Sequence, residues 1–430
     1  MIYWVPFLHF YQPSIQTRAV LKKICNESYR PLIDMFLKHP GAKVTVNICG
    51  SLTDLLNKHG GGDILDGFRK LARRGQLEFV DSSKYHAILP LIPEDEIKTQ
   101  IKLNQKTNSH FFKQDYKTRG FFLPEMCYSK GAAKVLNQMR YDWVLVSGIA
   151  AQDEWPLDFV SNVRCGSSHM KVFFRDDIIS NRISFQNVDS ADFIKDLVYL
   201  SKGKKDIYVI TAMDAETFGH HIKNWERLFL AEVYKAIDAF KDCRKPRRAL
   251  PKVCKKIISE LGEAPRIDVL TMSEVLTKFS LRKTKPPLPS SWSTSRDDMV
   301  EKNYYPLWKD PSNPIHKAQW KHLNACFELM DKASRLKLKN KESVRFALLA
   351  REILNEAVFS CQFWWANKKR GRWNTVLINE GVILQEKVLL NLHKAVNLSV
   401  AADQVKEQFC REIRACGKLA KRIRNMIAAE

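Results

Sequence analysis

The sequence predicts a β/α barrel of seven or eight units followed by a helical region, and three observations predict it. Over the first 275 or so residues, short β-branched or aromatic runs alternate with helical stretches, the pattern of βαβ units on a parallel sheet. Seven or eight repeats of that unit suggest a closed or nearly closed barrel rather than an open sheet. After Pro314 the pattern is helical to the end.

The strands expected are Ile2–Leu8, Lys43–Ile48, Leu77–Val80, Gly120–Leu123, Trp143–Val146, Val172–Phe174, Ile207–Thr211 and Ile267–Leu270. Helices expected between them include Thr17–Tyr29, Glu94–Phe112, Lys130–Met139 and Trp225–Phe240. Lys283–Asp298, with Pro286, Pro287, Pro289 and four serines, interrupts any regular pattern and reads as a linker or a loop laid over the surface. The chain is therefore divided into a barrel over 1–280, a connecting loop over 281–310 and a helical domain over 311–430. In the last stretch Val405, Phe409, Ile413, Cys416, Leu419, Ile423 and Ile427 recur at spacings of three and four, an amphipathic helix packing on a core.

Composition excludes several classes. Hydrophobic residues at 45% and charged residues at 27% of 430 exclude wholesale disorder. The 17 Gly, 17 Pro and absence of sustained heptads exclude collagen-like chains and coiled coils. No run reaches the roughly 18 apolar residues of a membrane-spanning helix, and Met1–His9 lacks the basic start of a signal peptide. The ten cysteines include no CxxC pair and no zinc spacing, so they read as reduced thiols in the cytoplasm. No cofactor or metal is expected. Net charge is +23, of which +11 falls in the last 120 residues. Such an excess favours anionic partners in general. Lys332–Lys341, Lys418–Arg424 and Lys368–Trp373 carry no nucleic-acid fold signature, however, and read as solvated faces.

Two carboxylates stand immediately after expected strands: Glu125 behind Gly120–Pro124 and Asp214 behind Tyr208–Met213. In a β/α barrel the site is built at the C-terminal strand ends, so the two can face one pocket. A carboxylate pair is what cleavage of a glycosidic bond needs. By spacing alone, the commoner reading of each is a capping or ion-paired group at a strand–helix turn. His9 and Gln12 at the end of the first strand, Gln76 and Glu78 around the third, and Tyr85-His86 beyond it supply polar groups suited to sugar hydroxyls. Trp292, Trp308, Trp364, Trp365 and Trp373 are candidates for stacking on glucose rings or for core packing.

Taken together, these segments resemble glycoside hydrolase family 57 in its shorter α-amylase-like branch. The resemblance rests on His9-Phe10-Tyr11-Gln12-Pro13, Gly75-Gln76-Leu77-Glu78-Phe79-Val80, Phe122-Leu123-Pro124-Glu125 and Asp214-Ala215-Glu216-Thr217-Phe218-Gly219-His220-His221. Ser291–Thr294, Pro306–Asp310 and Cys361–Ala366 extend it downstream. It implies a distorted seven-stranded (β/α)7 barrel with a C-terminal helical domain closing over the cleft, and a retaining enzyme acting on α-1,4-linked glucans or maltooligosaccharides by hydrolysis or 4-α-glucanotransfer. It further implies Glu125 as nucleophile and Asp214 as general acid/base, with carboxyl groups about 5 Å apart. His9, Gln12, Glu78, His86 and Glu216, with Trp364 or Trp365, would line the substrate site. Tyr11, Ala215, Ala87, Pro124 and Met126 depart from the family pattern, and none removes a carboxylate. A metal-dependent deacetylase on a related barrel is the first rival reading. His9, His86, His220 and His221 offer none of the HxxxH spacing common in such sites. A basic module binding nucleic acid or an anionic surface is the second.

Overall fold

The computed structural model describes residues 1–241, 247–336 and 338–429. Cys243, and Lys337 of the basic stretch, lie outside the described residues. All eight expected strands form, and two more join them. β1 (Ile2–Phe10) is the hub of the first sheet. It pairs in parallel with β2 (Val44–Ile48), β8 (Ile207–Asp214) and β9 (Ile267–Val269), and β2 carries β3 (Leu77–Val80). The second sheet runs β10-β6-β7-β5-β4, with β4 at Gly120–Phe122, β5 at Trp143–Ser147, β6 at Val160–Cys165, β7 at Ser168–Arg175 and β10 at Leu281–Lys283. Strands β6 and β10 escape the sequence pattern. The first mixes polar with apolar residues, and all three residues of the second are exposed.

The ladders thus make two five-stranded sheets and not one continuous ring. Two narrow seams join them. At one, Asp81 bridges Phe121, its N–H donating to Gly120 O (3.2 Å) while Phe122 N–H donates to Asp81 O (2.8 Å). At the other, Asp176 N–H donates to Ile210 O (2.8 Å).

Side chains alternate across the strands, as the period of two requires. Trp4, Leu8, Phe10, Val44, Val46, Ile48, Val209 and Met213 point outward into a core shared with the helices. Val5, Phe7, Val80, Phe122, Trp143, Leu145, Phe173, Tyr208, Ile210 and Ala212 point inward and fill a second core between the sheets.

The segment expected as one helix over Thr17–Tyr29 is helical over Arg18–Ile24, passes through a π-turn at Cys25–Tyr29 and continues as Arg30–Lys38. Pro31 accounts for the widening. It has no N–H for the carbonyl of Glu27 four residues back, and the N–H of Arg30 instead reaches Cys25 O, five residues back.

The chain divides into two compact units, Met1–Lys84 with Leu89–Trp292, and Tyr85–Ile88 with Ser293–Glu430. In the second, helices Pro314–Ser334, Thr375–Asn397 and Asp403–Ala428 bury Ile315, Ala318, Ile378, Val382, Ala420, Ile423 and Ile427. The expected terminal stripe holds at Phe409, Cys416, Ile423 and Ile427. Val405, in the first turn of the helix, is exposed. Trp308 is fully buried and belongs to core packing. No helix among the described residues is long and apolar enough to cross a membrane.

Candidate active site

The inward rows of the strands end in polar residues. On β1 the row reads Tyr3, Val5, Phe7, His9; on β2, Thr45 and Asn47; on β8, Tyr208, Ile210, Ala212, Asp214. Register aligns the last members, because His9 pairs with Asn47 on one side and with Asp214 on the other. The rim is therefore built by the same alternation that fills the core beneath it.

His9 is buried, and its Nδ1 lies 2.6 Å from Asn47 Oδ1. The Asn47 amide N–H in turn donates to Val80 O at 3.4 Å, which orients the oxygen toward the ring and makes Nδ1 the protonated nitrogen. Burial pulls the imidazole pKa down to about 4, so His9 is neutral at physiological pH. Its ring packs on Phe122 with centroids 4.7 Å apart.

Glu125 owes its position to the way β4 ends. Pro124 has no N–H to extend a ladder, and Glu125 and Met126 then take left-handed backbone angles, φ 59° and 50°. The half-buried carboxylate accepts a hydrogen bond from the indole N–H of Trp292 (Nε1 to Oε2, 2.7 Å), and Trp292 N–H donates to Glu125 O at 3.1 Å. Burial, with the neighbouring charge of Asp214 adding to it, pushes the Glu125 pKa up to about 8, against the pull of the indole N–H.

Asp214, also half-buried, is raised to about 6 by burial, with the Arg175 guanidinium opposing. Arg175 ends β7 and is pinned at three nitrogens, to Ala212 O (2.7 Å), Asp177 (2.7 Å) and Asn181 (2.8 Å). Its guanidinium carbon lies 6.0 Å from the centre of the Trp292 ring.

Glu216 is buried. It accepts from the Tyr29 hydroxyl and from Gln12 Nε2 (2.8 Å), and Gln12 Oε1 accepts from Gln16 (2.9 Å). Burial and the Asp214 charge raise its pKa to about 8. The π-turn explains how Tyr29 gets there. Three successive residues grip the Asp214–His221 segment: Glu27 on His220 (2.6 Å), Ser28 on Ala215 O (2.9 Å) and Tyr29 on Glu216.

The structure thus brings together Glu125, Asp214, Glu216, His9 and Gln12. Glu78 lies one inward layer deeper, level with Thr45, and accepts from Ser273 N (2.9 Å) and the Ser273 hydroxyl. Gln76 is at the opposite end of that strand, donating to Phe36 O, His39 O and Ala42 O, a structural role. His86 belongs to the second unit, where Nδ1 meets Ser360 Oγ at 2.7 Å. Trp364 and Trp365 are half-buried in the same unit, their rings 4.8 Å apart, with Arg372 over Trp364 at 5.2 Å. Sequence reasoning missed Arg175, Tyr29 and Asn47, and assigned Trp292 by its ring and not by its N–H. The strand-end rule that found Asp214 also points to Arg175.

Two carboxylates of raised proton affinity, Glu125 and Asp214, thus stand near each other on an α/β unit that a helical region follows. The chain belongs to glycosyl hydrolase family 57, whose model matches residues 3–284. It is similar to an alpha-amylase of Pyrococcus horikoshii, with 26% identity over 245 residues, 54% of this chain and 37% of that protein. It is also similar to a 4-alpha-glucanotransferase of Thermococcus litoralis, with 25% identity over 287 residues, 64% and 38% of the two chains. The chain spans well under half the length of these curated relatives. Its fold matches the crystal structure of a GH57-type branching enzyme from Pyrococcus horikoshii over 96% of this chain and 94% of that one, with a TM-score of 0.68 and 16% identity. The family match gives no support to the deacetylase and basic-module readings.

Proposed function

We propose that this protein is a retaining α-glucan-active enzyme, a hydrolase or 4-α-glucanotransferase cleaving α-1,4-glucosidic bonds in glucans or maltooligosaccharides. One observation carries the reading: Asp214 at the inward end of β8 and Glu125 in the turn after β4 are near enough for the charge of one to bear on the other, with burial raising the proton affinity of both. Near neutral pH such a pair holds one proton and one negative charge between them, the count a double displacement requires.

In the ligand-free protein the proton favours Glu125. A glycosidic oxygen beside Asp214 and positive charge developing at the anomeric carbon beside Glu125 both drive it to Asp214. Glu125 then attacks the anomeric carbon as Asp214 protonates the departing oxygen. The covalent glycosyl-enzyme is released when Asp214 takes a proton from water or a sugar hydroxyl, whose oxygen bonds to the anomeric carbon as its bond to Glu125 breaks and the carboxylate is regenerated. His9, Gln12, Glu78, His86, Glu216, Trp364 and Trp365 are assigned to substrate binding. We read residues 1–280 as a distorted (β/α)7-type barrel opened into two sheets, with β10 added from the start of the loop 281–310 and the helical domain 311–430 following. Nine free cysteines among the described residues support a cytoplasmic location.

The test is incubation with maltoheptaose, with products resolved by chain length, beside Glu125→Gln and Asp214→Asn. Products both longer and shorter than the substrate mean transfer, and shorter ones alone mean hydrolysis. Either should disappear in both variants. Turnover that survives them would overturn the assignment.

A further inference from the structure

The segment 288–292 is strapped across the ends of β4 and β5 rather than looping away from them. Leu288 N–H donates to Ala150 O (2.8 Å), Tyr128 N–H to Ser290 O (2.8 Å) and Trp292 N–H to Glu125 O (3.1 Å). Ser290 and Ser291 are fully buried. The strap ends by holding Glu125 twice, at its backbone carbonyl and at its carboxylate. It does so at a residue whose left-handed backbone is uncommon outside glycine and needs its surroundings to fix it.

The ring of Trp292 is fixed in turn. Its edge meets His9 and Phe122, at 6.2 and 5.9 Å between centroids, and the pinned guanidinium of Arg175 lies over it. An indole N–H is a donor only, so it favours the carboxylate form of the group it meets. A cation over the ring strengthens that preference.

We propose that Trp292 is a positioning residue for Glu125, its backbone clamping the left-handed turn and its indole N–H fixing the carboxylate for attack, with Arg175 holding the ring. This rests on the assignment of Glu125 as nucleophile. Among the described residues, the charged and titratable groups that bear on Glu125 include Asp214 from β8, Arg175 from β7 behind the indole, neutral His9 from β1, Cys49 after β2 and Cys127 in its own turn.

The test replaces Trp292 in the full chain by Phe, and separately by benzothienylalanine, which keeps the bicyclic ring and substitutes sulfur for the N–H. Glu125 is titrated through a carboxyl-labelled glutamate signal, and steady-state kinetics on maltoheptaose are measured in parallel. Loss of the N–H should raise the Glu125 titration by about one pH unit. It should lower kcat about ten- to a hundredfold with KM little changed. Benzothienylalanine should behave like Phe. An unmoved titration in both variants would overturn the proposal, as would a rise in KM alone, which marks a sugar-stacking platform. Failure of the nucleophile assignment shows separately, as wild-type turnover that survives Glu125→Gln, and the titration still decides whether Trp292 sets the state of the carboxylate.

Discussion

Glu125 and Asp214 are ordinary carboxylic acids made unusual by where their strands end. Each is lifted by burial, to about 8 and about 6, and the two titrate as a pair. Under the proposed double displacement, activity requires the singly protonated pair. It falls on the acid side when the pair takes up a second proton and on the alkaline side when the last proton leaves. A bell-shaped profile of kcat/KM with apparent limbs near 6 and 8 is therefore expected from initial rates on a maltooligosaccharide. An acid limb near 4, the range of an unperturbed carboxylate, would mean that the pair is not desolvated as described. Glu216 belongs to the same electrostatic cluster and adds to it: its partners are Tyr29 and Gln12, and its pKa is raised to about 8, so Asp214 sits beside a third group that favours its proton at neutral pH.

The elements that aim these residues are irregular ones. The π-turn at Cys25–Tyr29 lays three consecutive residues onto the Asp214–His221 segment, and Gly219 is what lets them approach. Its φ of 102° and its closeness to the Glu27 carbonyl, 1.8 Å from where a Cβ would stand, leave no room for a side chain. Gly219→Ala should destabilise the protein by about 3 kcal/mol, measured by denaturant unfolding, and should lower activity by displacing Asp214. A change under about 0.5 kcal/mol would show that this grip is dispensable. The regular elements were legible in the sequence because period-2 and period-3.6 patterns are burial patterns. Neither the π-turn nor the strap 288–292 has such a signature. The first follows from one proline acting on a carbonyl four residues back, and the second buries serines that read as surface loop.

On the scale of the molecule, the sequence was most informative where strand order alone places chemistry. His9, Glu125 and Asp214 follow from the rule that barrel sites form at C-terminal strand ends. Glu78 does not, because its place one layer below the rim depends on pairing register with β2. Arg175 was hidden in plain view at a strand end, since a lone arginine draws less notice than a carboxylate. The two-sheet division was not legible either. It turns on a short β4, stopped by Pro124, and on seams carried by one or two hydrogen bonds.

In the proposed mechanism Glu125 becomes covalently glycosylated while Asp214 moves the proton. The most direct measurement is intact-mass and peptide mass spectrometry of Asp214→Asn after exposure to an α-maltosyl fluoride. That substrate's leaving group needs no proton, so the intermediate forms and then stalls for want of a base. The expected result is a mass gain of one maltosyl unit mapped to Glu125 and absent in the Glu125→Gln/Asp214→Asn double variant. Fluoride released with no adduct, or an adduct on Glu216 or Glu78, would contradict the account.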